Sequence, residues 1–351
     1  MKVDQSLTLP QNAASIYSVG AGGIVENAHY PAYEMMGWQV KGVYDPRHDA
    51  AVRLGSRFGF GPVVTSLSEL VALNFDEGIF DIAVPGSEVA KVLSQLPRGS
   101  FALIQKPLGE TLEQAEEIVR ISEERELKCA VNFQLRWAPY TLALKQIVAQ
   151  GLLGDVHDLQ VEVNVHTPWA LWTFLEKAPR MEMVYHSIHY LDVIRHLFGE
   201  PETVFARSIK DPHSPRLESS RSCIYLDYGD WKRATVLTYH GHMAGPRHQD
   251  SFLKVEGVKG AAKLQMGLNM AYPGGMSDYL ELWCDGMPDW ESVPLEGSWF
   301  PHAFRGPMAD MMRWREGGEA PSTEVHDALK SMRLVDLAYR CSDARGAVFD
   351  P

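Results

Sequence analysis

Positive charge is scarce in this chain. Its 33 Lys and Arg residues are outnumbered by 45 Asp and Glu residues, and the formal net charge is −12 at pH 7. Proteins that hold a phosphate backbone or an anionic lipid surface by charge need a basic face. The composition therefore argues against nucleic acid and against a membrane surface as partners.

Cysteines and long apolar runs are also few. The four cysteines (Cys129, Cys223, Cys284 and Cys341) are far apart and form no C-x-x-C pair, so we expect reduced thiols. Residues 1–14 contain no apolar run of signal-peptide length, and no segment has the uninterrupted apolar length that spans a bilayer. Together these absences predict a cytoplasmic protein.

The pattern of apolar residues changes part-way along the chain. With 351 residues the chain is long for one core, so we expect two domains. Up to about Asn132, short apolar runs alternate with helical spacings, which predicts a doubly wound parallel sheet. After Pro139, longer runs with period-two alternation predict a large, mostly antiparallel sheet with a helical face. We place the first domain at residues 1–135 and the second at residues 136–351.

The same patterns give individual elements. Two helix starts carry capping-box signatures, Ser66 with Glu69 and Thr111 with Gln114. One helix is predicted in the second domain at 184–198 and a final one at 324–339. Strands are predicted at 16–19, 40–44, 79–84, 102–104 and 129–131, and then at 156–165, 204–209, 223–227, 233–239, 251–255, 261–264 and 279–283.

A glycine-rich turn after the first predicted strand is the most informative motif. Gly20 allows a tight turn, and Gly22 lets the backbone approach a pyrophosphate. The helix that begins at Gly23 and Ile24 presents free N–H groups to the anion. Val25 stands where a third glycine is usual, which predicts slightly wider helix–strand packing. The turn predicts a dinucleotide site; a glycine-rich turn of another α/β domain is the alternative.

An acidic residue ends the second predicted strand. A carboxylate at this position, Asp45, can accept hydrogen bonds from both ribose hydroxyls and repels the 2′-phosphate of NADP. Arg47 is a counter-signal, because a nearby arginine accommodates that phosphate. Since Asp45 ends the strand directly, we expect NAD rather than NADP.

A lysine follows the predicted strand at 102–104. In an open parallel sheet, ligands bind beyond the carboxyl ends of the strands. We therefore expect Gln105 and Lys106 at the cofactor crevice, with Pro107 fixing the adjacent backbone and Pro85 contacting the cofactor after the strand at 79–84. A solvated surface lysine is the alternative.

The predicted helix at 184–198 carries a second polar cluster. Tyr185, His189 and Asp192 are spaced i, i+4, i+7 and so share one helix face. His189 could act as a general base near neutral pH, tuned by Asp192. We expect His186, three residues before His189 on the same face, to contact substrate. His186 and His189 could instead bind a metal, but no third ligand is evident at metal-site spacing, so no metal is predicted. A stripe that only packs is the remaining alternative.

Other polar and aromatic residues are weaker candidates for substrate contacts. Asn132 and Arg136 can hydrogen-bond a polyol or the cofactor, although an interdomain salt bridge is equally consistent with them. Trp169 can stack on a sugar, and such aromatics also fill subunit interfaces. His240 and His242 alternate on a predicted strand, and we expect His242 to contact substrate. No G-x-S-x-G, paired-carboxylate or P-loop pattern occurs.

Taken together, these motifs resemble the Gfo/Idh/MocA oxidoreductases, the family of glucose–fructose oxidoreductase and inositol dehydrogenase. The resemblance covers nearly the whole chain and implies an N-terminal Rossmann domain and a C-terminal α/β domain. The large open-faced sheet of that second domain usually forms the oligomer interface. The matching segments are Gly20–Gly23, Tyr44–Asp45, Gln105–Pro107, Asn132–Arg136, Gly151–Gly154 and His189–Asp192 followed by Gly199–Pro201.

The resemblance also implies roles for single residues. The lysine of the family's Glu-Lys-Pro motif contacts the reacting hydroxyl and corresponds to Lys106, with Gln105 in place of the glutamate. The histidine and last acid of the family's D-x-x-x-H-x-x-D motif correspond to His189 and Asp192, and Tyr185 replaces the first aspartate. This departure weakens any inference of an inositol substrate.

The expected function is NAD-dependent oxidation of a sugar or polyol carbinol, such as an aldose to an aldonolactone. Lys106 orients the hydroxyl and lowers its pKa, and His189 accepts its proton, with Tyr185 shaping the pocket or relaying the proton. A cofactor-binding sensor without turnover and an NAD-dependent glycosidase are the alternatives.

We also expect a homodimer or homotetramer. The predicted strand at 156–165 carries Leu159, Val161 and Val163 on one side. If that side faces solvent, it forms an apolar face that a monomer does not tolerate.

Overall fold

The computed structural model describes residues 3–272 and 274–346, which form two compact units built from separated segments. The first, here called the Rossmann unit, consists of Leu7–Trp137 and Phe300–Met332. The second, the sheet unit, consists of residues 3–6, 138–272, 274–299 and 333–346. The domain boundary predicted between residues 135 and 136 lies two residues from the end of the first segment of the Rossmann unit. That prediction assigned residues 300–332 to the second domain, whereas they pack in the Rossmann unit.

The Rossmann unit contains a five-stranded parallel sheet in the order β2-β1-β3-β4-β5. Its strands are almost entirely buried on both faces, which explains their continuous apolar runs. The predicted doubly wound sheet is confirmed. The strands are β1 (Ile16–Val19), β2 (Val40–Tyr44), β3 (Ile79–Ile82), β4 (Phe101–Gln105) and β5 (Lys128–Asn132).

Helices connect these strands, and both predicted N-cap residues accept the expected backbone N–H. The Ser66 side chain accepts the Glu69 N–H, and the Thr111 side chain accepts the Gln114 N–H. A π-helical turn at Val25–His29 precedes the first helix. The helices are α1 (Tyr30–Met36), α2 (His48–Phe58), α3 (Leu67–Leu73), α4 (Val89–Leu93) and α5 (Leu112–Glu124).

The returning segment completes the core of the Rossmann unit. The sheet unit contributes the helices α6 (Pro139–Ala149) and α7 (Ile188–Phe198). The returning segment then begins two further helices, α8 (Arg305–Arg315) and α9 (Val325–Ala344). Met308, Met311 and Met312 of α8 are fully buried in the cluster around β1. The sequence did not predict α8, because a Gly-Pro pair usually marks a turn, yet here Pro307 occupies the first helical turn, where its missing N–H costs nothing.

The sheet unit contains eight strands in the order β13-β12-β11-β10-β6-β9-β8-β7. Among the strands that the structure describes here, only β6 and β9 pair in parallel; the other pairs are antiparallel, which confirms the predicted mostly antiparallel sheet. Its strands are β6 (Val156–Asn164), β7 (Thr203–Ile209), β8 (Arg221–Asp227), β9 (Arg233–Tyr239), β10 (Asp250–Gly257), β11 (Gly260–Gln265), β12 (Tyr279–Cys284) and β13 (Glu291–Ser292).

The two faces of this sheet differ from the expected arrangement. Leu159, Val161 and Val163 are 0% exposed, so the expectation that they form an open apolar face is wrong. The open face instead carries Phe205 on β7, 58% exposed, and Leu237 on β9, 46% exposed. Period-two alternation separates two faces of a strand but does not say which one the chain covers.

The predicted helix at 184–198 is not α-helical throughout. Met183–Ser187 forms a π-helical turn, in which the Ile188 N–H donates to the Met183 carbonyl, and α7 continues from there. No helix within residues 3–272 and 274–346 combines the length and hydropathy needed to cross a membrane.

Candidate active site

The glycine turn lies where the order of strands reverses. β1 is flanked by β2 and β3, so the chain leaves it in opposite directions, and ligands of such sheets bind at this point. Gly20 follows β1 with φ of +107°, and its N–H donates to the Tyr44 carbonyl at 2.7 Å. A Cβ on Gly20 would lie 2.4 Å from the Ala83 carbonyl oxygen. Only glycine fits this position.

The next glycines are open rather than crowded. In the described part of the chain, no atom lies within 4 Å of a Cβ built on Gly22. The nearest atom to a Cβ on Gly23 is the Asn27 amide nitrogen at 3.8 Å. Ile24 then leads into the π-turn that begins the helix. The space above Gly22 fits a pyrophosphate drawn close to the backbone.

Gly20 and Gly22 give a matched pair of variants. We expect Gly20→Ala to lower the melting temperature clearly, because a strained φ and a backbone clash cost on the order of 1–3 kcal/mol or more. Gly22→Ala should melt close to the wild type but bind NAD at least about tenfold more weakly, since its methyl group takes the ligand's space. Differential scanning fluorimetry and a coenzyme titration measure both. Wild-type NAD affinity in Gly22→Ala would contradict the pyrophosphate assignment.

Asp45 connects the end of β2 to the glycine turn. Its Oδ2 accepts the Ala21 N–H at 2.8 Å and its Oδ1 accepts the Arg47 N–H at 2.7 Å. The Arg47 guanidinium is largely exposed and approaches the two carboxylate oxygens at 3.3 and 3.4 Å. Asp45 is therefore held in place by two backbone donors, and Arg47 is directed at the carboxylate.

A buried polar network that was not predicted from the sequence contacts Gln105, the residue before Lys106. His29 Nδ1 is 2.9 Å from Asp81 Oδ2, and the Tyr33 hydroxyl donates to the same oxygen at 2.9 Å. His29 Nε2 is 3.3 Å from Gln105 Oε1. His29 and Asp81 are fully buried. The network fixes the residue that precedes Lys106, and its members are too far apart in sequence for a motif to reveal them.

Lys106 and Asn132 mark the carboxyl edge of the sheet. Burial lowers the pKa of the Lys106 ammonium to about 8. Asn132 ends β5 as the register partner of Gln105 and is 1% exposed. Within the described residues, neither its amide nitrogen nor its amide oxygen has a hydrogen-bond partner. Each such group costs about 1–3 kcal/mol when it is left unsatisfied, so this amide needs a polar partner, either an ordered water or a bound ligand. Pro85 is exposed after β3 at the same edge.

Arg136 has structural partners inside the Rossmann unit. Its Nη2 lies 2.8 Å from Asp327 Oδ2, and its Nη1 donates to the Ser322 carbonyl at 3.0 Å. The side chain is 4% exposed. The salt bridge considered from the sequence is therefore formed, but it joins two segments of one unit.

The residues predicted on α7 have different neighbours. Tyr185 lies in the π-turn, which rotates it away from the α-helical register assumed by its spacing, and its ring is 5.7 Å from that of Phe174. His189 is 6% exposed and its ring meets Trp299 edge-on at 5.3 Å. Asp192 is buried, with Oδ1 at 3.9 Å from the Arg195 guanidinium.

His186 joins two residues that the sequence did not connect to it. Glu182 Oε1 is 3.3 Å from His186 Nδ1 and 3.3 Å from His240 Nε2. The Trp169 ring lies 4.9 Å from the His240 ring. His242 is elsewhere, with Nε2 at 3.0 Å from the Arg247 carbonyl oxygen. His240 follows β9 rather than continuing it, so the two histidines do not alternate as on a strand.

Comparison with known proteins identifies the family. Residues 15–133 match the model described as oxidoreductase family, NAD-binding Rossmann fold, and residues 145–348 match oxidoreductase family, C-terminal alpha/beta domain. The chain belongs to the Gfo/Idh/MocA oxidoreductases. The dinucleotide that this family name implies fits the open space at Gly22, the fixed Asp45 carboxylate and the unsatisfied Asn132 amide.

Individual family members are similar over most of their length. The chain is 25% identical over 315 residues to scyllo-inositol 2-dehydrogenase (NADP(+)) IolW of Bacillus subtilis, with 82% of each chain covered. It is 23% identical over 350 residues to D-apiose dehydrogenase of Rhizobium rhizogenes, covering 95% of this chain and 96% of that relative. A solved levoglucosan dehydrogenase with NADH and levoglucosan superposes with a TM-score of 0.81 over 95% of this chain and 98% of that one, at 16% identity, which supports the fold.

Proposed function

We propose that this protein is an NAD-dependent dehydrogenase that oxidises a carbinol of a sugar or polyol, with an aldose giving an aldonolactone as the first class to test. The observation that carries the proposal is the carboxyl edge of the Rossmann sheet, where Lys106 with its lowered pKa follows β4 and the unsatisfied Asn132 amide ends β5. Family membership and the names of relatives that act on inositol, apiose and levoglucosan support the substrate class.

In this proposal the chain provides the acid–base groups. When bound, the nicotinamide supplies the hydride acceptor. The Lys106 ammonium donates a hydrogen bond to the reacting hydroxyl of the substrate and lowers the pKa of that hydroxyl. The neutral His189 imidazole accepts the hydroxyl proton. Tyr185 shapes the pocket, because an ordinary tyrosine pKa near 10 makes a poor base at neutral pH.

The test is a panel of pentoses, hexoses and inositols supplied with NAD. The proposal requires NADH in stoichiometric amount with an oxidised sugar, followed by absorbance and product analysis. Thermal shift in the same plates reports binding without turnover, since a ligand stabilises the folded state by mass action. Stabilisation without NADH would favour a sensor. Release of free sugar from a glycoside without net NADH would favour a glycosidase.

We propose a homodimer or homotetramer formed through the open face of the sheet unit. Phe205 and Leu237 leave a large apolar area exposed on this face, with Tyr225 paired opposite Phe205. Light scattering at micromolar concentration should give a multiple of the 39.3 kDa chain mass. The double variant Phe205→Asp, Leu237→Asp should lower that mass, while Phe75→Asp, at an exposed phenylalanine of the Rossmann unit, should not. A monomeric wild type would refute this assembly.

A cytoplasmic location is part of the same proposal. All four cysteines are free, and Cys223 is exposed. An exposed free thiol is typical of a reducing compartment.

A further inference from the structure

Three side chains of types that bind metals converge in the sheet unit, on the element that carries Tyr185 and next to it. Glu182 directly precedes the π-turn, His186 lies within it, and His240 follows β9. One donor atom from each lies within 4.8 Å of the others. The side chains of Glu182 and His240 are fully buried, and that of His186 is 18% exposed. Two imidazoles and one carboxylate are a common ligand set of divalent transition metals.

The distances within the cluster fit metal ligands as well as long hydrogen bonds. Both imidazole nitrogens lie 3.3 Å from the same Glu182 oxygen. A charge-assisted N–H···O bond in a buried site is about 2.7–2.9 Å long. Ligand atoms that surround a tetrahedral ion at about 2.0–2.1 Å are about 3.4 Å from one another. The two distances to Glu182 Oε1 match that spacing, and the two imidazole nitrogens lie within 4.8 Å of one another.

Surrounding groups hold the three donors in this orientation. The other ring nitrogen of His240, Nδ1, is 2.8 Å from Thr167 Oγ1. Glu182 accepts hydrogen bonds from the hydroxyls of Ser187, at 2.8 Å, and Ser222. Metal-binding histidines and carboxylates typically carry such outer hydrogen bonds, which fix the tautomer and the ring orientation.

The π-turn explains why the cluster exists. In the π-turn the Ser187 hydroxyl reaches the Glu182 carboxylate, five residues before it in the chain. His186, four residues after Glu182, reaches the same carboxylate. Trp169 covers the His240 ring, and its buried indole nitrogen has no hydrogen-bond partner among the described residues. A water bound to the ion would supply an oxygen that accepts a hydrogen bond from this indole N–H.

We propose that Glu182, His186 and His240 bind one divalent transition-metal ion, of which Zn²⁺ is the test case. Two imidazole nitrogens and one carboxylate oxygen supply three ligands, and the partly exposed edge of His186 is the route by which the ion enters. The site does not depend on the proposed dehydrogenase activity and is tested by binding alone.

The experiment uses the full-length protein without an affinity tag, freed of metal with a chelator and titrated with Zn²⁺. We expect one ion per chain with a Kd below about 1 µM and, for Co²⁺, the intense visible absorption of a tetrahedral site. His186→Asn should weaken Zn²⁺ binding by at least about 100-fold, and Glu182→Gln should do the same. His157→Asn, at an exposed histidine of β6, is the matched control and should bind as the wild type does.

Two results would overturn the proposal. One is the absence of stoichiometric Zn²⁺ or Co²⁺ binding below about 100 µM in the wild type. The other is wild-type affinity in His186→Asn, which remains informative even if the buried Glu182→Gln variant fails to fold. Either result would make the cluster a hydrogen-bonded network in which both imidazoles donate to Glu182.

Discussion

Alanine at Lys106 or at His189 is expected to lower kcat/KM by a factor on the order of 10²–10⁴, the usual effect of losing a positioned acid–base group. Coenzyme affinity should change much less, because the open space at Gly22 and the fixed Asp45 carboxylate remain. Steady-state kinetics with the best substrate and an NADH fluorescence titration measure the two effects. Near-wild-type turnover in either variant would remove that residue from the mechanism.

Lys106 also has an expected pH signature. Its folded-state pKa of about 8 lies below the value of about 10.5 for an unperturbed lysine. Between these two pH values the unfolded chain holds a proton that the folded chain has released, so the stability contribution of this group rises with pH. Below pH 8 the buried ammonium opposes folding. Lys106→Met should therefore melt higher than the wild type at pH 7 while losing activity, which separates catalysis from unfolding.

The same pKa predicts the high-pH limb of the reaction. If the ammonium is the donor to substrate, kcat/KM should fall as pH rises through about 8. The Tyr185→Phe variant shows whether Tyr185 or His189 accepts the hydroxyl proton. If His189→Ala turned over normally and Tyr185→Phe were inactive, the tyrosine would be the proton acceptor.

Replacement of Asp45 is expected to have the second-largest effect, on the choice of coenzyme. Asp45→Asn removes the negative charge but keeps an oxygen that can accept the Ala21 or Arg47 N–H. Losing charge-assisted hydrogen bonds worth about 1.5–3 kcal/mol should weaken NAD binding by roughly 10–100-fold. NADP binding should improve, since its 2′-phosphate no longer meets a carboxylate.

Arg47 supplies the control for this experiment. It is directed at Asp45, so we expect Arg47→Ala to leave NAD binding within about threefold of the wild type, as is usual for an exposed ion pair. A wild-type protein that binds NADPH more tightly than NADH, and loses that preference in Arg47→Ala, would show that the arginine and not the acid selects the coenzyme.

Local patterns were sufficient for most of the fold. The strands from β1 to β5 begin and end within one or two residues of their predicted bounds, and the caps at Ser66 and Thr111 form as expected. These features depend on neighbouring residues, since apolar period and capping chemistry act within a few positions. The family resemblance added the Rossmann assignment of the first domain and the open face of the second sheet.

The parts that sequence reasoning missed depend on distant residues. Nothing in the spacing of Glu182 and His186 indicates that His240 completes their cluster, and the π-turn that aligns them is not encoded by a simple period. The pairing of His29 with Asp81 is likewise visible only after the helix docks on the sheet. Alternation defined the two faces of β6 but could not say that the chain itself covers Leu159.

The return of residues 300–332 to the Rossmann unit has a consequence for biosynthesis. Residues 7–137 leave the ribosome before α8 and Thr323. The methionines of α8 and the Thr323 carbonyl, which accepts the Val131 N–H, follow only after residues 138–299 have been made. At about 5–20 residues per second, the nascent sheet waits on the order of ten seconds with an uncovered apolar surface and an unpaired strand edge. A fragment that ends after β5 lacks this cover, and we expect it to aggregate when it is expressed alone.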